Sequence, residues 1–289
     1  MSAIAYITDS KMLELHRLNN HKTMNFWRLS NKVNFSDFNE GDLVFFLSKD
    51  KEHKNKNEKG IVGFGRLSKI NLASIKTMWN KYGVLNGYLS LNEFNEAISK
   101  VSKDKKLPAK ISSFYLENVT FFQPIYLSEC GMKISSNVES YIYLKDEVVF
   151  KLLKLAKQSN DLWSDLNDNN EAIEKEEIIF SLFNTHKQIG DINIKDNLYK
   201  KSKRELKKYI DEHSSYSFIQ NSDTELYKIS NNIIYIVLFN DKNIDLRLLL
   251  GQAKLYRHFM KIYCESEIEL KFSTSDKSEH LKYLLNSDI

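Results

Sequence analysis

Residues 25–47 read NFWRLSNKVNFSDFNEGDLVFFL, residues 60–68 GIVGFGRLS and residues 78–87 MWNKYGVLNG, and this stretch decides the fold of the first half. Leu43 to Leu47 is a continuous apolar run behind the turn Glu40-Gly41-Asp42, which reads as a buried strand. Gly60 to Leu67 is its partner. Gly63 and Gly65 alternate there with bulkier residues, which predicts bulges or close backbone approach at the corner of a small closed β-barrel. The glycines lie inside a strand rather than at the opening of a helix, so they are not a phosphate-cradling loop. The run between the strands, Lys49 to Lys59, is charged and reads as a solvated hairpin loop that can also track phosphate.

Outward from this core, Ala3 to Thr8 reads as a first strand, followed by a helix capped at Ser10 and running to Leu18. Asn25 to Trp27 reads as an irregular segment ahead of the barrel strand. Ser74 to Tyr82 is helical with Gly83 as its C-cap, and Ser90 with Glu93 has the spacing of a capping box. Phe114 to Leu127 supplies a closing aromatic strand, with Pro124 at an edge. Lys145 to Lys157 is an amphipathic helix, and the polar run 158–170, containing Trp163, marks a domain boundary. The second half reads as helix (Glu171 to Phe183), basic helix (Lys200 to His213), strand (Tyr216 to Gln220) and a hairpin of Glu225 to Ile229 with Ile233 to Phe239. A long helix (Asp245 to Tyr263), a strand (Glu267 to Phe272) and a last helix (Glu279 to Leu285) complete it. The expected fold class is α+β in two domains, divided as 1–144, 145–170 and 171–289.

Composition restricts the function classes. Of 289 residues 42% are hydrophobic and 12% aromatic, which is globular rather than disordered. The net charge of +4 permits a nucleic-acid partner without demanding one. Cys130 and Cys264 stand far apart and form neither a zinc set nor a disulfide framework. No run of about 18 apolar residues exists, so no membrane span is expected. With no signal peptide at the start, a soluble cytoplasmic protein is expected.

The order Asn25-Phe26-Trp27, Gly41-Asp42, Ile61-Val62-Gly63-Phe64-Gly65, Trp79-x-x-Tyr82-Gly83-x-x-Asn86-Gly87 and Phe121-Phe122 with Pro124 resembles one family. It is similar to the EVE-like domain, related to PUA and YTH domains, at the N-terminus of modification-dependent restriction endonucleases. The resemblance covers residues 3–140 and implies a reader of a modified base flipped out of double-stranded DNA. An extruded base needs π-faces above and below and polar groups at its edge. Phe26, Trp27, Phe64, Trp79 and Tyr82 are the candidate walls, with Trp27 foremost. Asn25 and Asn86 are the candidate edge readers, and Lys32 and Arg66 the candidate phosphate contacts. The same large rings also suit a barrel core. No His-Asn-His nuclease constellation follows residue 140.

The element order of the second half, with Gly251-Gln252-Ala253-x-x-Tyr256 on the long helix, resembles PD-(D/E)XK nucleases, whose α/β/α core carries a Gln-x-x-x-Tyr element. Gln252 and Tyr256 are the matching residues. That fold places an Asp on one hairpin strand and a Glu-x-Lys on the next, and binds Mg²⁺ with the carboxylates. Here Leu238 and Asn240 stand where Glu and Lys belong. A displaced set of Asp223, Asp241 and Lys242 is the alternative, with Asp223 and Asp241 as metal ligands. Lys203, Arg204 and Lys207 on the basic helix are further candidate phosphate contacts.

The two resemblances imply a DNA-binding component of a restriction or phage-defence system. Its second domain is then degenerate, or works with a separate nuclease or motor subunit, and a homodimer is possible. An active Mg²⁺-dependent modification-specific endonuclease is one alternative. A module that binds RNA or a partner protein is another.

Overall fold

The computed structural model describes residues 2–30, 35–53, 58–102, 104–133, 140–158, 166–264, 266–276 and 278–287. Lys32, the middle of the 49–59 charge run, Trp163 and Glu265 lie outside the described residues. The architecture is α+β, and the chain divides into two compact units, Ser2–Glu174 and Lys175–Ile289.

The first unit runs β1 (Ala3–Thr8), α1 (Ser10–Leu18), β2 (Met24–Arg28), β3 (Leu43–His53) and β4 (Glu58–Ala73), then α2 (Ile75–Tyr82) and a 3-10 turn (Gly83–Asn86). It continues with α3 (Leu91–Val101), β5 (Ile111–Ile125), β6 (Tyr141–Leu144) and α4 (Asp146–Gln158). Six strands form one sheet in the order β2-β5-β4-β3-β1-β6. The β1–β3 pair is parallel and the other pairs are antiparallel.

The long β4–β5 ladder shifts register between Ile61 and Gly63, Phe64 and Arg66, and Leu67 and Lys69. Each irregularity adds local bend and twist, so the sheet curls. The curl brings Tyr6 of β1 to 5.0 Å from Phe26 of β2, although three strands separate them in the sheet order. Among the described residues the sheet is not closed into a barrel by hydrogen bonds. Among the described residues β2 pairs only with β5, and β6 only with β1. Inside lie Ile4, Met24, Phe26, Phe46, Phe114, Leu116 and Phe121.

Several local readings hold and several are corrected. Gly83 ends α2 at φ 51°, as read, while Ser74, read as helical, instead caps that helix by accepting from the Thr77 amide. Helix α1 is capped by Asp9, whose side chain accepts from the Met12 amide, and not by Ser10. Ser90 caps α3, but the Glu93 carboxylate is drawn to Lys11 Nζ, 3.3 Å away. Asn25 to Trp27 is a regular part of β2, because alternate residues of this segment pack into two separate apolar clusters. Strand β6 has no counterpart in the sequence reading.

The second unit contains most of α5 (Leu166–Ile189), then α6 (Asp196–Glu212), β7 (Ser217–Phe218), β8 (Glu225–Ser230), β9 (Ile233–Leu238), α7 (Leu246–Tyr263), β10 (Glu269–Thr274) and α8 (Glu279–Asn286). The sheet order is β10-β9-β8-β7, with β10 parallel to β9. Asn231 and Asn232 turn the β8–β9 hairpin with φ of 50° and 59°, the left-handed pair that a two-residue hairpin requires.

Gly63 explains why a strand interior tolerates glycine. A Cβ built there would meet the Thr120 carbonyl oxygen at 2.5 Å and the Phe121 ring at 3.0 Å. Gly63→Ala is expected to destabilise the protein by about 1–3 kcal/mol, read as a lower urea midpoint. A second prediction concerns His16, which is fully buried with its Nδ1 3.0 Å from His21 Nδ1. Burial, with the His21 charge added, pulls its pKa from 6.5 to about 3. Between those values the unfolded chain takes up a proton that the folded chain refuses. This contribution to stability is therefore whole above pH 6.5 and is lost as pH falls toward about 3, by up to about 1.4 kcal/mol per unit. Urea midpoints measured from pH 7.5 to 4.5 should decline, and His16→Gln should flatten that decline.

Candidate functional site

The gap between β1 and β2 opens into a cavity of about 520 Å³ in the first unit. That volume lies within the range of small-ligand sites. One wall is the end of β1 with Tyr6 and Thr8, continued by the start of α1 with Lys11. The opposite wall is β2, where Phe26, Trp27 and Arg28 follow one another, and Val101 of α3 contributes at one side.

Arg28 supplies a buried charge to this site, beside Asp9 and Lys11 in its lining. Its side chain is buried, its Nε donates to Ser112 Oγ at 2.8 Å, and its guanidinium lies 4.6 Å from the Phe35 ring and 4.5 Å from the Phe114 ring. Burial lowers its pKa while the Tyr6 hydroxyl beside it raises it. Burial likewise pushes the Tyr6 hydroxyl up, and Arg28 opposes that. An arginine remains a cation under such shifts. A fixed positive charge beside half-buried aromatic rings favours a ligand with a flat ring and an electron-rich edge. Trp27 is half-buried and braced edge-on against Phe94 at 5.8 Å and near Tyr88 at 6.4 Å.

Of the residues read as base contacts, the cavity collects Phe26 and Trp27. Phe26 is almost wholly enclosed, and Phe64 lies in the core against Phe45 and Phe122. Trp79 packs on the α2–α3 cluster, and Tyr82 stacks on Tyr115 at 5.4 Å. Asn25 and Asn86 are both buried and bond to each other, Nδ2 to Oδ1 at 2.8 Å; Asn86 Nδ2 also donates to the Gly83 carbonyl at 2.7 Å. They tie β2 to the 3-10 turn. Arg66 donates to the Gly41 carbonyl and clamps that turn. The sequence reading missed Tyr6, Lys11 and Arg28. Arg28, a charge placed next to Trp27 inside a strand, was the available signal.

The second unit carries a buried polar cluster around Glu225, which is fully enclosed at the start of β8. Gln252 Nε2 donates to Glu225 Oε1 at 2.7 Å, and the Tyr256 hydroxyl donates to Oε2. His186 Nδ1 lies 3.0 Å from the same Oε2, and its Nε2 lies 3.6 Å from Asp191 Oδ1. Asp191 in turn accepts from Ser222 Oγ at 2.5 Å, Thr224 Oγ1 at 3.0 Å and the Asp223 amide at 3.2 Å. His186, Asp191 and Glu225 each offer a ligand atom within 4.8 Å of the others. The carboxylates of Glu225 and Asp191 nevertheless already accept protein hydrogen bonds, and the cluster is nearly shut from water. It does not suit Mg²⁺, which retains several of its own waters.

Asp223 and Asp241 have other partners. Lys203 Nζ is 2.7 Å from Asp223 Oδ1, and Lys201 is ion-paired with Asp241. Lys242 is exposed. Leu238 pairs directly with Glu225 across the hairpin, so an apolar side chain faces the enclosed carboxylate. Lys203, Arg204 and Lys207 are exposed on α6.

No family model and no curated protein matches the chain. Among solved structures, the chain is similar to the ASCH protein from Zymomonas mobilis, with a TM-score of 0.39 and 15% identity over 55% of this chain and 96% of that one. Two single-residue variants of that protein give 0.39 with 16% and 15% identity, over 55% of this chain and 96% and 100% of theirs. The likeness spans about half of this chain. No helix among the described residues is long and apolar enough to cross a membrane.

Tyr256→Phe removes a buried donor to Glu225 and should cost about 1–3 kcal/mol, read by urea denaturation. Gln252→Leu should act in the same direction.

Proposed function

We propose that this protein binds nucleic acid and that its first unit takes one extruded base into the cavity between β1 and β2. The carrying observation is the cavity itself: about 520 Å³, with Trp27 and the buried Arg28 cation on the β2 wall and Tyr6 on the β1 wall. A planar base can stack on the Trp27 indole while Arg28 and the polar end of β1 meet acceptors on its edge. Lys11, exposed at the mouth, suits a flanking phosphate. The resemblance of residues 3–140 to EVE-like domains supports a modified base in double-stranded DNA, and with it a role in restriction or phage defence.

In this reading the second unit contributes binding, as a partner of a separate nuclease or motor chain or as a pairing surface for a second copy. Leu238 opposite Glu225 supports a non-cleaving unit. If the chain itself cleaves, Asp223, Asp241 and Lys242 are the groups left for Mg²⁺ chemistry. Incubating modified DNA with the protein and Mg²⁺ then gives products that Asp241→Ala abolishes.

Anisotropy titrations across a salt series, using duplexes that differ at one modified base, test the reader role. The expected result is tighter binding of one modified duplex, weakened about tenfold or more by Trp27→Ala, since base stacking contributes about 1–3 kcal/mol. Equal binding of all modified and plain duplexes would refute it. An RNA competitor that displaces every DNA probe would place the chain among RNA binders instead.

A further inference from the structure

Helix α7 turns one face into the core of the second unit and leaves another open. Leu249, Gln252, Ala253, Tyr256 and Met260 are buried. On the open face Leu248, Leu255 and Ile262 stand seven residues apart and are 42%, 42% and 59% exposed. Among the described residues of this unit the other exposed large hydrophobic is Tyr283 of α8. Exposed aliphatics scattered singly are ordinary on a protein surface, but a row of three on one helix is not. The row drifts by about 20° per heptad and covers about 21 Å of helix.

Two further rows keep the same spacing. Gly251 and His258 lie beside the aliphatic row, and Arg247, Lys254 and Lys261 lie beyond them. Together they occupy the a, d and g positions of a coiled-coil seam. Glycine is a poor residue for a helix interior. A Cβ built at Gly251 meets nothing within 4 Å, so the packing of the unit itself does not require glycine there. A second helix crossing at close range does.

The g row sets the charge of that helix. Between Leu246 and Tyr263, α7 has no Asp or Glu. Arg247 is paired with Asp245, whereas Lys254 and Lys261 take part in no ion pair among the described residues. The helix dipole accounts for Lys261 in the last turn, but not for Lys254 in the middle.

We propose that this face binds an acidic amphipathic helix of a partner protein. The aliphatic side chains of that helix pack on Leu248, Leu255 and Ile262, its backbone runs close to Gly251, and its carboxylates meet Lys254 and Lys261. A second copy of the chain is a poor occupant, because two antiparallel α7 helices bring one lysine row against the other with no carboxylate between them. The assignment rests on the reading of the second unit as a partner-binding unit.

The test titrates the full chain, by anisotropy, against a fluorescein-labelled three-heptad peptide with leucine at a and d and glutamate at e and g. A lysine-for-glutamate version and a serine-for-leucine version are run beside it. Expected is saturable binding of the acidic leucine peptide, about tenfold or more tighter than either control and weaker at high salt. Leu255→Glu and Gly251→Gln should each weaken it about tenfold or more. The double variant Lys254→Glu, Lys261→Glu should transfer the preference to the lysine peptide. Gly251→Gln should also raise the melting temperature of the free chain, which separates lost binding from lost fold. Equal binding of the three peptides, no saturable binding of the acidic one, or binding unchanged by Leu255→Glu would each overturn the proposal. So would a concentration-dependent dimer in sedimentation, or capture of phosphatidylserine vesicles, that Leu255→Glu abolishes. No DNA enters the titration, so its failure leaves base binding by the first unit standing.

Discussion

Strands β4 and β5 approach so closely at Gly63 that a single methyl group would strike the Thr120 carbonyl. The architecture of the first unit depends on that approach. A side chain at 63 would press β4 away from β5 between the register shifts on either side. Those shifts curl the sheet, and the curl sets Tyr6 against Phe26. Strands β1 and β2 thereby face each other without a hydrogen-bonded ladder between them, and the space left is the cavity.

The cavity could have collapsed onto its apolar walls. Arg28 keeps it polar, since a buried guanidinium needs its hydrogen bonds and the ring faces of Phe35 and Phe114 to offset lost hydration. Once satisfied, the group is a fixed positive charge in a site of low dielectric. The Asn25–Asn86 bond, spanning 61 positions in sequence, supports the same wall from behind. Residues that looked like contacts for a ligand thus became the frame that holds Trp27 and Arg28 in place.

In the second unit Glu225 plays the organising part. Gln252 and Tyr256 of α7, His186 of α5 and the Asp191 loop all converge on one enclosed carboxylate. The Gln-x-x-x-Tyr spacing places both side chains on one face of α7, and both point at β8. The lysines of α6 hold Asp223 and Asp241 at the ends of the hairpin strands. The polar residues around Glu225 are spent largely on one another.

Elements whose causes are local were legible in the chain. Strand β1, helix α2 with its stop at Gly83 and the β8–β9 hairpin follow from side-chain periodicity and backbone sterics within a few residues. The glycines of β4 announced a close approach, though not its partner. What the tertiary structure alone decided was which aromatic rings are spent in the core and which keep a free face. Phe26, Phe64 and Trp27 are equally apolar as letters. Only the packed sheet encloses the first two almost wholly and leaves the third half-buried at a cavity. The meeting of Glu225 with His186 and Asp191 has the same origin, because residues tens of positions apart come together only when the sheet and helices have packed.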